Sequence, residues 1–96
     1  MPKATLLVSE KTSYPDGTIM QMVVWRLPKS DPERPHGLKY SLFFGLKGKR
    51  LVDYDNERGK GDHKHIGPFE VPYKFQSLPR LFADFEDDVR RARDKL

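Results

Sequence analysis

The middle of the chain reads LKYSLFFGL (residues 38–46), KG (47–48) and KRLVDYD (49–55), and the architecture follows from this stretch. In the first run every second side chain is large and apolar, namely Tyr40, Leu42, Phe44 and Leu46. Alternate side chains of a β-strand point to the same face, so this spacing predicts a strand with one buried face. The short KG link between two such runs is typical of a tight turn, and we predict an antiparallel hairpin.

A similar hairpin precedes it. Two β-prone runs, residues 4–13 and 18–27, flank the turn YPDG, in which Pro15 presets φ and Gly17 tolerates positive φ. The second run is apolar on both faces, so we expect it to lie centrally in a sheet or to contact a partner, which leaves a homodimer open. We expect its Trp25 to belong to the core.

The C-terminal segment predicts an amphipathic helix. Ser77 is a suitable N-cap and Pro79 fits a first turn. Apolar residues follow at helical spacing, namely Leu78, Leu81, Phe82, Phe85, Val89, Ala92 and Leu96. Residues 68–75 predict a short edge strand, because Pro72 is excluded from a central one. We therefore predict an α+β fold in a single domain, residues 1–96: an antiparallel sheet of four to five strands, built from two hairpins and a short edge strand, with the helix on one face.

Composition limits the class of protein. The 96 residues contain 18 Lys and Arg against 14 Asp and Glu, a formal charge of +4 that mildly favours an anionic partner. The chain has no cysteine, which excludes disulfides and thiolate zinc sites and fits a reducing compartment. No segment has the length of a membrane span, so we expect a cytoplasmic protein with no membrane association. In the proline-containing loop of residues 28–37, we expect His36 to be a surface residue.

The chemically richest stretch is YDNERGKGDHKHIG, residues 54–67. It is not a calcium loop, because Arg58 stands where glycine is required and Lys64 where the bidentate Glu belongs. It is not a phosphate-binding P-loop either, because the upstream glycine and the following Ser or Thr are missing. Two known kinds of site are thereby excluded.

Metal-free phosphodiester cleavage fits these residue types. RNA scission needs a base for the 2′-hydroxyl, an acid for the departing 5′-oxygen and a cation for the phosphate. Histidine titrates near neutrality, so His63 and His65 are candidates for the acid–base pair. Lys60 is the candidate phosphate clamp, and Asp62 and Asp55 are candidates to orient an imidazole through its Nδ1 proton. The supporting candidates are Asp55, Asn56, Arg58, Lys64 and Tyr54 for binding or orienting substrate, and Gly59 and Gly61 for close backbone approach.

Other interpretations stay open at this point. On an extended backbone His63 and His65 share a face, and with a carboxylate they can hold a divalent metal. The neighbouring Lys60 and Lys64 argue against that, so we expect neither metal nor cofactor. The plainest interpretation of the segment is a solvated polar loop. The protein would then be a module that binds nucleic acid or a partner without catalysis. Tyr73, together with Tyr54, is a candidate for stacking on bases.

The stretches RLVDYDNERGKGDHKHIG (50–67) and PYKFQSLPRLFADFEDDV (72–89) resemble the TumE-like toxins of prokaryotic toxin–antitoxin modules. The resemblance implies a DNA-binding helix-turn-helix antitoxin as partner and RNA as target. It marks eight positions as functional: Asp55, Asn56, Gly59, Lys60, Gly61, Asp62, His63 and His65. Taken with the residue chemistry, it favours a toxin that is a metal-independent ribonuclease.

Overall fold

The fold is a sheet and a helix, given by a computed structural model that describes residues 3–57, 59 and 61–96. Its elements are β1 (Thr5–Ser13), β2 (Thr18–Arg26), β3 (Leu38–Leu46), β4 (Lys49–Asp55), β5 (His63–Ile66), β6 (Phe69–Pro72) and α1 (Leu78–Asp94). The strands form one six-stranded sheet in chain order, with antiparallel neighbours throughout. The predicted α+β class, both hairpins, the edge strand and the C-terminal helix are confirmed.

The predicted count of four to five strands was wrong, because the histidine segment is itself a strand. β5 pairs with β4 on one side and, across the turn at Gly67 and Pro68, with β6 on the other. Its sequence, HKHI, has no alternation of apolar and polar side chains from which a strand could be predicted. Pairing on both edges satisfies its backbone instead, and tertiary context overrides the weak local signal.

One face of the sheet, here called the helix face, holds the core. Pairing aligns side chains of β2, β3 and β4 on this face, and α1 covers them. The buried apolar residues are Val24, Tyr40, Leu42, Phe44, Val52, Tyr54, Leu81, Phe85 and Val89. The three helical members are spaced by four residues, as one buried stripe requires. Ser77 caps α1, its Oγ accepting a hydrogen bond from the Arg80 amide at 3.2 Å.

The opposite face, here called the open face, has no described helix or strand packed on it. Trp25 lies there, half-buried and outside the core, so our placement of this side chain was wrong. The reason is register, because Val24 pairs with Tyr40 beneath the helix and the next residue must point the other way. Val23 and Phe43 are also half-buried on the open face. A homodimer through this apolar part of the face stays a prediction.

Asn56 continues the sheet beyond the end of β4. Its side chain is fully buried, its Nδ2 donates to the Leu38 carbonyl at 2.8 Å, and its Oδ1 accepts from the Tyr40 amide at 3.0 Å. The side-chain amide therefore supplies hydrogen bonds that a continuing strand would have made to β3. We predicted Asn56 to bind or orient substrate, and that role stays a prediction; in the structure both polar groups of its amide are occupied by the β3 backbone.

Within the part of the chain that the structure describes, α1 falls short of the length and apolarity needed to cross a membrane, and no other helix is present. The finding agrees with the hydropathy of the sequence.

Replacing Asn56 with alanine is expected to lower the free energy of unfolding by about 2–4 kcal/mol, because two buried backbone groups lose their partners. Urea denaturation followed by circular dichroism measures this loss. The matched control is Glu57→Ala at the exposed neighbouring position, with an expected change within about 0.5 kcal/mol. Wild-type stability in Asn56→Ala would show that the amide does not support β3.

Candidate active site on the open face

Strand pairing gathers five titratable side chains on the open face. Asp53 pairs with His65 and Asp55 with His63 across β4 and β5, and His65 pairs with Glu70 across β5 and β6. Directly paired residues point to the same face of a sheet, so all five side chains lie together. We call them the open-face cluster. It unites three predicted site residues with Asp53 and Glu70, which the sequence analysis did not single out.

His63 is held at both ring nitrogens. Its Nδ1 lies 3.0 Å from the carbonyl oxygen of Gly61, which can only accept, so Nδ1 carries a proton. Its Nε2 lies 3.0 Å from Oδ1 of Asp55 and 3.6 Å from Oε1 of Glu70. Asp55 thus contacts the imidazole at Nε2, whereas we expected a contact at Nδ1, and its orienting role stays a prediction. The lone pair of Nε2 and the carboxylates of Asp55 and Glu70 repel one another. A proton or a metal ion between them would relieve this repulsion.

His65 lies beside it, with the two imidazole ring centroids 5.2 Å apart and the rings nearly perpendicular. Nε2 of His65 is 3.5 Å from Oε1 of Glu70, and Nδ1 is 4.0 Å from Oδ2 of Asp53. Nδ1 is buried and has no hydrogen-bond partner among the described residues. Both imidazoles therefore turn Nε2 towards the same oxygen of Glu70.

The cluster is rich in negative charge. Burial and the nearby Asp55 carboxylate raise the pKa of Asp53, and the Arg50 guanidinium, 3.5 Å away, partly opposes them. Three carboxylates around two imidazoles repel an approaching phosphate unless protons or a cation neutralise them. The arrangement suits a bound cation better than a bare anion.

Lys64 does not belong to this cluster. It lies between the two histidines in β5, so its side chain points to the helix face, where Nζ is 3.0 Å from Oδ2 of Asp88. A contact of Lys64 with substrate stays a prediction, to which this ion pair gives no support. The sheet separates the Lys64 ammonium group from the histidines, so its charge does not oppose a metal there.

Tyr54 is also a helix-face residue. It is fully buried, its hydroxyl donates to Asp88, and burial together with that carboxylate raises its pKa. Its ring meets Phe85 and Tyr73 edge-on. The hydroxyl of Tyr73 in turn donates to Asp84 at 2.6 Å. Neither tyrosine forms the stacking platform that we expected, because α1 covers both rings.

Asp62 is positioned by the proline-containing loop and not by the cluster histidines. His36 Nδ1 accepts from the Leu38 amide at 3.1 Å, so Nε2 carries the proton and donates to Asp62 at 3.1–3.2 Å. The His36 ring also packs on Phe75, with centroids 4.1 Å apart. Our expectation of a surface histidine was wrong, since His36 is half-buried and connects two loops. Such a contact between distant segments has no local signal in the sequence.

A cleft of about 370 Å³ opens beside the cluster, lined by Asp62, His63, Glu70, Val71 and Pro72. Gly59 and Gly61 precede β5 in the chain and have φ of 90° and 68°, values that glycine adopts readily. The Gly59 amide donates to Oε2 of Glu33 at 2.8 Å, a second link between the two loops. Lys60 and Arg58, the predicted phosphate contacts, lie outside the described residues.

A larger cavity, about 610 Å³, lies on the other side of the sheet beside the end of α1. It is lined by Lys49, Leu51, Ile66, Gly67, Pro68, Phe69, Asp88, Arg91, Ala92, Lys95 and Leu96. No histidine is among them, and Asp88 is already bound to Lys64 and Tyr54. The groups able to transfer protons or hold a metal therefore converge on the open face.

Comparison with known proteins agrees with the resemblance seen in the sequence. The family model described as Toxin TumE matches residues 3–93. No curated protein and no solved structure matches the chain. The matched residues include all six strands, the whole open-face cluster and α1 except its last residue.

Replacing Asp88 with alanine is expected to lower the free energy of unfolding by about 1–3 kcal/mol, because Tyr54 and Lys64 lose their common acceptor beneath the helix. Asp87→Ala is the matched control, since the ion pairs of this exposed carboxylate with described residues are those to the surface arginines Arg90 and Arg91. Exposed pairs contribute about 0–1 kcal/mol. Chemical denaturation of both variants measures the difference. Equal losses would contradict the proposed buried network.

Proposed function

Because the chain belongs to the TumE toxin family, we propose that it is the RNA-cleaving toxin of a toxin–antitoxin module and that cleavage takes place at the open-face cluster. One observation carries the proposal: His63 and His65 lie with ring centroids 5.2 Å apart on a sheet face that no described helix covers. Two imidazoles so placed can act together on one phosphodiester whose phosphate enters the cleft beside them.

The rest of the open face offers surface for a single strand of RNA. Phe43 pairs with Asp53 and is thus the cluster's neighbour on the same face, and half-buried Trp25 lies one strand further. Aromatic rings on a sheet face can stack on unpaired bases, at about 1–3 kcal/mol per base. The exposed Lys11 and Lys39 share this face and can contact phosphates.

Cleavage at the cluster requires positive charge, and two mechanisms supply it. In the metal-independent form, which the sequence favours, one imidazole takes the 2′-hydroxyl proton, the other protonates the 5′-oxygen, and Lys60 holds the phosphate. In the metal-dependent form, His63, His65 and a carboxylate would hold an ion, which would supply the positive charge that the phosphate needs. The two forms differ in their response to EDTA.

We expect the purified protein to cleave single-stranded RNA, and His65→Ala to lower the rate at least about 100-fold, since a proton-transfer group contributes about 10²–10⁴-fold. Gel analysis of labelled RNA measures the rate, and the chemistry of the ends reports the mechanism. Cyclic-phosphate ends that form in EDTA would support the metal-independent form.

The matched control is Lys64→Ala, which changes the residue between the histidines but on the helix face, and should keep near-normal activity. Folded wild-type protein that binds RNA with salt-dependent affinity but never cleaves it would favour a binding module instead. Full activity in His65→Ala would move the reaction away from the cluster.

A toxin family implies an antitoxin, and we propose that this partner is a DNA-binding helix-turn-helix protein. Expression of the wild-type chain is expected to arrest growth, and coexpression of such a protein encoded beside it should restore growth and yield a complex on purification. His65→Ala should leave growth unaffected without coexpression. Growth arrest by His65→Ala at equal expression would separate toxicity from the open-face cluster.

A further inference from the structure

Three side chains of the open-face cluster converge as a set of metal ligands. One nitrogen each from His63 and His65 and one carboxylate oxygen from Glu70 all lie within 4.8 Å of one another. From the contacts described below, we propose that this triad binds one divalent transition-metal ion of the zinc class, through the two Nε2 atoms and Oε1 of Glu70. The binding site stands on this geometry and does not rest on RNA cleavage.

The distances to Glu70 suit a tetrahedral ion. Oε1 is 3.6 Å from Nε2 of His63 and 3.5 Å from Nε2 of His65. Donors about 2.1 Å from a tetrahedral zinc ion lie about 3.4 Å from each other. Both separations are therefore within a few tenths of an ångström of this value, and the histidine nitrogens lie within 4.8 Å of each other, so rotation of the side chains is needed to bring all three donors onto one ion.

The Nδ1 atoms of both histidines, which would not bind the ion, are placed as in known histidine–metal sites. In such sites the ring nitrogen that does not bind metal donates a hydrogen bond to a carbonyl or carboxylate. In His63 that nitrogen, Nδ1, donates to the Gly61 carbonyl at 3.0 Å, which leaves the Nε2 lone pair aimed into the cluster. In His65 the buried Nδ1 has no hydrogen-bond partner among the described residues and faces Asp53 at 4.0 Å. If Nε2 of His65 bound a metal ion, Nδ1 would carry a proton directed at Asp53. Asp53 would then support His65 as the Gly61 carbonyl supports His63.

Burial and charge favour an ion over a bulky substrate at the imidazoles. The side chains of His63 and His65 are only 6% and 12% exposed, so a small ion or a single phosphate group can reach them from the cleft, whereas a bulky rigid ligand cannot. Glu70 is 50% exposed and borders the cleft, which gives a small ion and a fourth ligand a route of entry. Asp55, 3.0 Å from Nε2 of His63, adds a second carboxylate that a cation would neutralise.

The donor types select the metal. Two imidazoles and one carboxylate suit zinc and its neighbours, whereas magnesium and calcium prefer sites made of oxygen alone. Three protein ligands also leave one position for water, the pattern of catalytic zinc sites. If the proposed function holds, the ion would activate that water or polarise the phosphate.

Isothermal titration of metal-free, untagged protein with zinc chloride tests the site. We expect one ion per chain and much weaker binding of magnesium. Loss of a residue that supports a metal ligand without touching the metal weakens metal binding roughly 10–100-fold, and we expect a loss in this range for Asp53→Asn. His65→Ala and Glu70→Gln each remove a ligand and should weaken zinc binding by more than that. Glu70→Gln removes charge from an exposed side chain, so its fold should persist, and circular dichroism checks this.

Two control variants separate the triad from general affinity of the protein for metals. His36→Gln removes a histidine outside the triad, and Lys64→Ala changes its helix-face neighbour, so both should bind zinc as wild type does. Absence of stoichiometric zinc binding in folded wild-type protein would overturn the proposal. So would binding that survives in both His65→Ala and Glu70→Gln.

The metal site and the RNA-cleaving function can fail separately. Zinc binding that depends on the triad, without RNA cleavage, would support the site and reject the proposed function. RNA cleavage that continues in EDTA, with no zinc bound by the folded protein, would reject the site and support the metal-independent mechanism.

Discussion

The pairing of β5 with β4 is the constraint on which the rest of the structure depends. It extends the sheet, gives β6 an edge to pair with, and turns both histidines to one face and Lys64 to the other. The strictly alternating direction of strand side chains converts a run of mixed charge into two separated environments. Without that pairing, residues 63–66 would be the solvated loop that their composition suggests.

The two faces handle charge differently. On the helix face, Lys64 and the Tyr54 hydroxyl share the Asp88 carboxylate, and this network lies beside the apolar core. On the open face, carboxylates surround imidazoles, and Arg50 is the one cation that opposes them among the residues that the structure describes. Opposite charges are matched where α1 packs, and negative charge is concentrated where the sheet is accessible. A stable scaffold and a site that attracts cations are thus built back to back on the same strands.

The sequence was informative where local patterns are strong. Alternation from Tyr40 to Leu46, the turns of both hairpins, and the stripe and cap of α1 predicted most of the architecture. The sequence did not predict β5, because its apolar residues show no strand periodicity. Residues 63–66 form a strand because they pair with β4 on one side and β6 on the other. Because β5 was not predicted, Glu70 was not recognised as a site residue. A two-residue turn at Gly67 and Pro68 would have placed it opposite His65. His36 and Asp53 join the site region only through tertiary contacts.

The turn at Gly67 and Pro68 has a further consequence. It sets the count of residues between His65 and Glu70, so that the triad can be written as the pattern H-x-H-x₄-E. A single insertion or deletion there would shift β6 by one residue against β5 and carry Glu70 through the sheet to the opposite side. Among relatives of this chain, the turn between His65 and Glu70 should therefore keep its length.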